Sequence, residues 1–175
     1  MRDDGRDVSR AQPTSAPRAA VLDDVPAIIA LVAEMYSEMA EEYSGQRSII
    51  PGDWKSSAET EFRERLGADV GAFVIEGESG EIVAVAVGRL HRTLPSPRRT
   101  GTTAGYVEWV VTDAAARRQG NATAVISALL AWFESSGTSV VDLNASSSAE
   151  TIYRRLGFDS EGPVALSRRL RTLDR

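Results

Sequence analysis

After Gly120 apolar residues recur at intervals of three and four. Ala122, Val125, Ile126, Leu129, Leu130 and Phe133 form a complete stripe down one helical face, and Gly137 ends it. The period changes on either side of this helix. Tyr106 to Thr112 before it and Val140 to Leu143 after it are short apolar runs of strand character. A strand, a helix and a strand in that order make a parallel crossover, which requires a sheet with a helix laid on it. Upstream, Val70 to Glu76 and Ile82 to His91 flank the turn residues Gly77 to Gly80, which predict an antiparallel hairpin. The sheet must therefore be mixed.

Local signals supply the other elements. Arg18 to Leu22 reads as a short strand. Asp23 and Asp24 are N-cap candidates, Pro26 suits a first helical turn, and Val25, Ile28, Val32, Met35 and Met39 carry a helix to about Glu42. Ser44 to Ser57, with Gly45, Pro51 and Gly52, reads as a loop, and Ala58 to Leu66 as a helix stopped by Gly67. Arg92 to Thr103 holds two prolines and two adjacent arginines and predicts a long loop. Ser147 and Glu150 fit a capping box opening a helix to Leu156, with Gly157 just past its end. A last strand is expected over Val164 to Leu170. Residues 1–16 are polar and aperiodic, the pattern of a flexible tail, which leaves residues 17–175 as one domain.

Composition narrows the chemistry. The 175 residues include no cysteine and a single histidine, His91, so thiolate nucleophiles, disulfides and multi-histidine metal sites are excluded and no metal is implied. No apolar run approaches the ~18 residues of a membrane span, and the first twenty residues lack a leader's apolar stretch; a cytoplasmic protein without membrane contact is expected. The net charge of −5 argues against a nucleic-acid partner. Residues 1–90 hold 17 acids and 9 bases, a balance of −8, whereas residues 91–175 hold 8 acids and 11 bases, or +3. Lys55 is the single lysine, so the positive charge is almost all arginine, the better planar donor to phosphate oxygens.

The chemistry concentrates where the third strand meets the long helix. Val110, Val111 and Thr112 end the strand, Arg117, Arg118 and Gln119 lie in the loop, and Gly120, Asn121, Ala122 and Thr123 open the helix. Free N–H groups and the positive end of the helix dipole make an anion site there, and Gly120 permits close backbone approach. A diphosphate is the natural guest; a loop of solvated arginines is the plainer alternative.

Arg117-x-x-Gly120-x-Ala122 between a strand and a helix resembles the acetyl-CoA motif (Gln/Arg)-x-x-Gly-x-(Gly/Ala) of the GNAT superfamily of N-acetyltransferases. Ser146-x-x-Ala149-x-x-Ile152-Tyr153-Arg154-Arg155-Leu156-Gly157-Phe158 is similar to that family's last motif. The resemblance covers about residues 18–170. It implies an α/β fold with a mixed, mostly antiparallel central sheet and helices on both faces. It also implies acetyl-CoA as co-substrate, with its pantetheine arm along Val110, Val111 and Thr112 and its diphosphate on the amides of residues 118–123. One strand N–H would polarise the thioester carbonyl. Ser146 matches a family position near the pantetheine and Asn144 is its neighbour, though a loop or capping role suits both. A homodimer is compatible with the family's habits.

Tyr153 matches the family tyrosine near the thioester sulfur. A phenol can protonate a departing thiolate, slightly uphill; the plainer reading is a packing tyrosine. Glu108, expected to be buried on a central strand face with Tyr106 and Val110, matches a glutamate that takes the amine proton in some relatives. The plainer reading is a solvated carboxylate that attracts a cation. His91 is a weaker base candidate because Arg92 beside it disfavours protonation. Met35, Tyr36, Met39 and Tyr43 fit either core or an acceptor pocket, with Trp54 nearby. Eight acids from Glu34 to Glu64 suit a cationic acceptor or a solvated helix face.

The sequence thus predicts transfer of an acetyl group to a primary amine, of a small molecule before a protein, by direct attack on the thioester. Without cysteine a covalent acetyl-enzyme has no thiol to form on. A non-catalytic acyl-CoA-binding module and a protein N-terminal or lysine acetyltransferase are the alternatives.

Overall fold

A computed structural model describes residues 12–42, 53–97 and 99–160. The chain divides into two compact units, Met1–Asn144 and Ala145–Arg175. The first is built from β1 (Arg18–Ala19), α1 (Val25–Glu42), α2 (Trp54–Arg65), β2 (Val70–Glu76), β3 (Ile82–Arg92), β4 (Thr103–Thr112), α3 (Asn121–Ser135) and β5 (Val141–Asp142). The strands lie in the order β1-β2-β3-β4-β5, antiparallel throughout except for the parallel pair β4–β5. The mixed sheet follows from the two expected connections: a tight turn after β2 and a helical crossover after β4.

Helices cover both faces. Val25, Ile28 and Val32 of α1 and Phe62 of α2 pack with Val74, Val85, Val87 and Val111 in one apolar cluster. On the opposite face α3 seats Phe133 against β3 and β4. A Cβ on Gly88 would lie 2.5 Å from that ring and one on Gly105 2.7 Å, so both positions must be glycine for the helix to sit this close. Among the described residues no helix is long and apolar enough to cross a membrane.

Several boundaries differ from the sequence expectation. The helix expected at Ala58 starts at Trp54, because the Asp53 carboxylate accepts the Ser56 N–H at 3.2 Å and caps it. The long loop is shorter, since β3 and β4 pair as far as Arg92 opposite Thr103. β1 stops at Ala19, and Leu22–Asp24 form a 3₁₀ turn leading into α1. Asp24 does not cap α1; it accepts from Val21 N–H at 2.8 Å and pairs with Arg18, which also reaches Glu76. Within the stretch expected as a tail, Thr14 bonds Asn121 and Gln119, and the Ser15 hydroxyl donates to Glu76 O. The strand expected over Val164 to Leu170 lies outside the described residues, as does Tyr43.

The second unit contributes α4 (Glu150–Arg155), ending at Gly157 with φ +90°. The expected capping box is not its start: the N-cap is Ala149, and the Glu150 carboxylate accepts from Arg154 one turn on.

Candidate active site

β4 is the strand on which the site is built. It pairs with β5 only at Gly105 and Tyr106, and among the described residues no strand continues along 107–112 on that side. The bond from Asp113 N–H to Val83 O, at 2.9 Å, sets the phase of the β3 ladder. Alternation then turns Val111 toward β3, and Val110 and Thr112 toward the open side. Of the three residues expected to meet a pantetheine arm, Val111 is thus committed to the sheet while Val110 and Thr112 are not. Thr112 O already accepts from Arg117 Nε at 3.1 Å, whereas the Thr112 hydroxyl is buried without a partner.

The chain then turns sharply. Asp113 caps the 3₁₀ turn Ala114–Ala116, Arg118 adopts φ +63°, and Gly120 adopts φ +83° as the N-cap of α3. The left-handed values explain the glycine, since a side chain there costs about 1 kcal/mol. Gly120 brings no capping side chain, and the first main-chain bond inside the helix runs from Ala124 N–H to Gly120 O. The amides of Asn121, Ala122 and Thr123 therefore stand at the helix mouth with no partner inside the helix. Arg118 has no ion-pair partner among the described residues.

The side chains of Arg117, Asn121 and Gln119 in this loop are used within the fold. Arg117 spans from Thr112 O to the Glu38 carboxylate of α1, at 2.7 and 2.9 Å. Asn121, 1% exposed, donates to Ala116 O and Thr14 Oγ1 and accepts from Thr14 N–H at 2.8 Å. Gln119 donates to Ala115 O and accepts from the Thr14 hydroxyl. These groups brace the loop; its main-chain amides and Arg118 are what it offers an anion. A diphosphate fits that donor set, and the unpaired edge of β4 leads directly into it.

On the α1 side of the sheet β4 carries a bulge. Val87 faces Trp109 and Gly88 faces Val107, so Glu108 is the extra residue. The bulge corrects the expectation for Glu108. It shares a face with Tyr106 and Trp109 rather than Val110, and it is about one-third exposed rather than buried. Arg89 of β3 pairs with it and lies over the Tyr106 ring at 5.1 Å. Burial, then the Glu108 charge, raises the Tyr106 phenol above its usual pKa. Trp109 donates to the Tyr36 hydroxyl at 3.2 Å and meets Phe62 edge-on, while Tyr36 and Trp54 meet edge-on at 5.5 Å. Asn144 donates to the Tyr106 hydroxyl at 2.8 Å instead of standing free for a cofactor. Met35 packs into the core. His91 faces Ala104 with Nδ1 buried and unpartnered.

In the second unit Tyr153 is 8% exposed and meets Phe158 edge-on at 5.7 Å. Burial raises its phenol pKa, so the hydroxyl keeps its proton at neutral pH. The Ser146 hydroxyl is 3.1 Å from that of Ser148, and Ser146 O accepts the Ala149 and Glu150 amides, a turn-forming role.

Residues 32–158 match the family model described as Acetyltransferase (GNAT) family. The chain belongs to the GNAT acetyltransferases. No curated protein sequence matches it. Solved structures do: a predicted acetyltransferase with acetyl-CoA from Clostridium acetobutylicum has a TM-score of 0.73 at 19% identity, over 86% of this chain and 94% of that one. A GCN5-related N-acetyltransferase from Ralstonia eutropha gives 0.68 at 20% identity, over 86% and 96%. Glucosamine-6-phosphate N-acetyltransferase from Arabidopsis thaliana gives 0.64 at 22% identity, over 89% and 97%. The mixed α/β fold is thus the GNAT fold.

Within this GNAT chain the structure brings Tyr36 and Trp54 together with Trp109, and Glu108 together with Arg89 and Tyr106. Sequence reasoning did not single out Arg89 and Trp109, which stand among these candidate residues. Arg89 has a visible signal: it follows Gly88 and breaks the apolar run Ile82 to Val87. Trp109 is recognisable only once the bulge is known.

Proposed function

We propose that this GNAT acetyltransferase moves the acetyl group of acetyl-CoA to a primary amine of a small molecule by direct attack on the thioester. The observation that carries the reading is the uncapped start of α3 at Gly120, set at the end of the unpaired edge of β4. Acetyl-CoA, when bound, supplies an activated acyl carbon. The amides of residues 121–123 and the Arg118 guanidinium hold its diphosphate. The outward N–H groups of Val110 and Thr112 hold the pantetheine arm, and one of them polarises the thioester oxygen.

An alkyl amine is mostly protonated at neutral pH and cannot attack until it loses a proton. Glu108, at the bulge and part-exposed, takes that proton directly or through water. The neutral amine adds to the thioester carbon, and collapse of the adduct breaks the C–S bond as Tyr153 gives its proton to the departing thiolate. The extra proton left on nitrogen passes through water to the Tyr153 oxygen. The raised phenol pKa keeps the tyrosine proton in place until sulfur charge develops. The aromatic group Tyr36, Trp54 and Trp109 favours a small acceptor over an extended chain.

The test is release of free CoA thiol from the full chain with acetyl-CoA and a panel of primary amines. Amine-dependent release is expected, and Glu108→Gln should lower the rate at saturating acceptor about 100-fold. Saturable acetyl-CoA binding with no amine-dependent release would leave a binding module and contradict transfer. Full rate in Glu108→Gln would remove the base role.

A further inference from the structure

Several of the acids expected to favour a cation already have partners. Glu38 pairs with Arg117, Glu59 with Arg63 and Glu61 with Arg65, while Asp53 caps α2. Charge at the acceptor face is arranged in opposites instead. Glu108 and Arg89, 35% and 34% exposed, meet on the α1 side of the sheet beside the aromatic group. Arg65 and Asp69 pair at 2.6 Å nearby, Arg65 feeling the Glu108 charge and Asp69 the Arg89 charge. Glu108, Arg89, Asp69 and Arg65 thus alternate in sign, with Glu61 3.9 Å beyond Arg65.

An acceptor bearing only an ammonium group would gain Glu108 but would face repulsion from the guanidinium already there. An acceptor that also carries an anion satisfies both partners at once. Neither is exhausted by their mutual bond, since a guanidinium has five donors and a carboxylate about four acceptor positions. Alternation from Tyr106, which lies opposite Arg89, puts Glu108 on the side on which Arg89 stands, and the bulge adds Trp109 to that same face. Resting on the acetyl-transfer reading, we propose that the acceptor is a small zwitterion, an amine with a carboxylate or phosphate a few bonds away. Glu108 holds the ammonium, Arg89 the anion, and Tyr36, Trp54 and Trp109 the carbon frame.

The experiment pairs acceptors that differ in the anion alone. The twenty α-amino acids are compared with their amides, and O-phosphoethanolamine with ethanolamine. Thiol release and tryptophan fluorescence are followed on the full chain, and acetyl-CoA binding is measured separately by calorimetry. The expected result is a preference of at least about tenfold in kcat/KM for one anionic member over its neutral partner, carried by KM. Arg89→Met should collapse that ratio toward unity, and Arg89→Lys should restore part of it. Because the readout is a ratio within each variant, lost folding does not imitate the effect. The arm that responds distinguishes carboxylate from phosphate. Neutral amines accepted as well as their anionic partners, or a ratio that survives Arg89→Met, would overturn the proposal. So would normal acetyl-CoA binding with neither turnover nor fluorescence change for any anionic amine. Failure of acetyl-CoA itself to bind would instead strike the acetyl-transfer reading.

Discussion

At Gly120 the main chain has φ +83° and the following helix has no side-chain cap. Those two facts convert a sequence motif into a donor surface, and the glycine makes that surface legible from the amino-acid order alone. The side chains around it are not legible in the same way. Arg117 reads as a ligand because arginine is a good planar phosphate donor, and Gln119 and Asn121 because their main-chain amides lie at the start of the helix. Their partners, Thr14 and Glu38, lie 105, 107 and 79 residues away in the chain, beyond the reach of local spacing. Tyr153 is the residue on which turnover should depend most specifically. Tyr153→Phe keeps the ring that meets Phe158 and removes the proton, so kcat should fall about 100-fold with acetyl-CoA affinity unchanged. Stopped-flow thiol release checks this, and an unchanged kcat would return Tyr153 to packing.

Among the elements, β3 and α3 are readable because their periods are long and unbroken. β4 is not, because counting alternate residues gives the wrong face after an inserted one: the bulge at Glu108 moves Trp109 onto the α1 side of the sheet and Val110 off it. α2 begins early because an Asp cap outweighs the loop character of its neighbours. The junction of β1, α1 and β2 depends on the cluster of Arg18 with Asp24 and Glu76. Hydrogen bonds from Arg18, with one from Val21 N–H, hold the Asp24 carboxyl below the usual carboxylate range. A depressed folded value means that this stabilisation is complete above the unfolded pKa of ~3.9 and is lost as pH falls through the lower folded value. Asp24→Asn should therefore cost about 2 kcal/mol at neutral pH, discounted for the part-exposed arginine. The difference should begin to shrink as pH drops below about 4 and vanish once pH has fallen through the depressed folded value, where Asp24 is neutral in the native chain too. Urea denaturation at pH 7 and pH 3 measures it; an equal loss at both would show that Asp24 acts through shape and not charge.

On the scale of the whole sheet, β4 is closed on its β3 side. On the other it pairs with β5 at Gly105 and Tyr106 and, among the described residues, is open along 107–112. Helices fill both faces, and the loop before α3 turns its amides toward the open end. The fold class is visible in the order of periods, and the co-substrate class in the two motifs. The distribution of charge is not. An acidic first half suggests a cationic guest, yet several of its acids on α1 and α2 are neutralised by arginines one turn away or across the sheet. The measurement that bears most directly on the account is a calorimetric titration of acetyl-CoA into the full-length chain. A single saturable site is predicted, with a dissociation constant on the order of 10 µM. No saturable heat with acetyl-CoA at about 1 mM would contradict it.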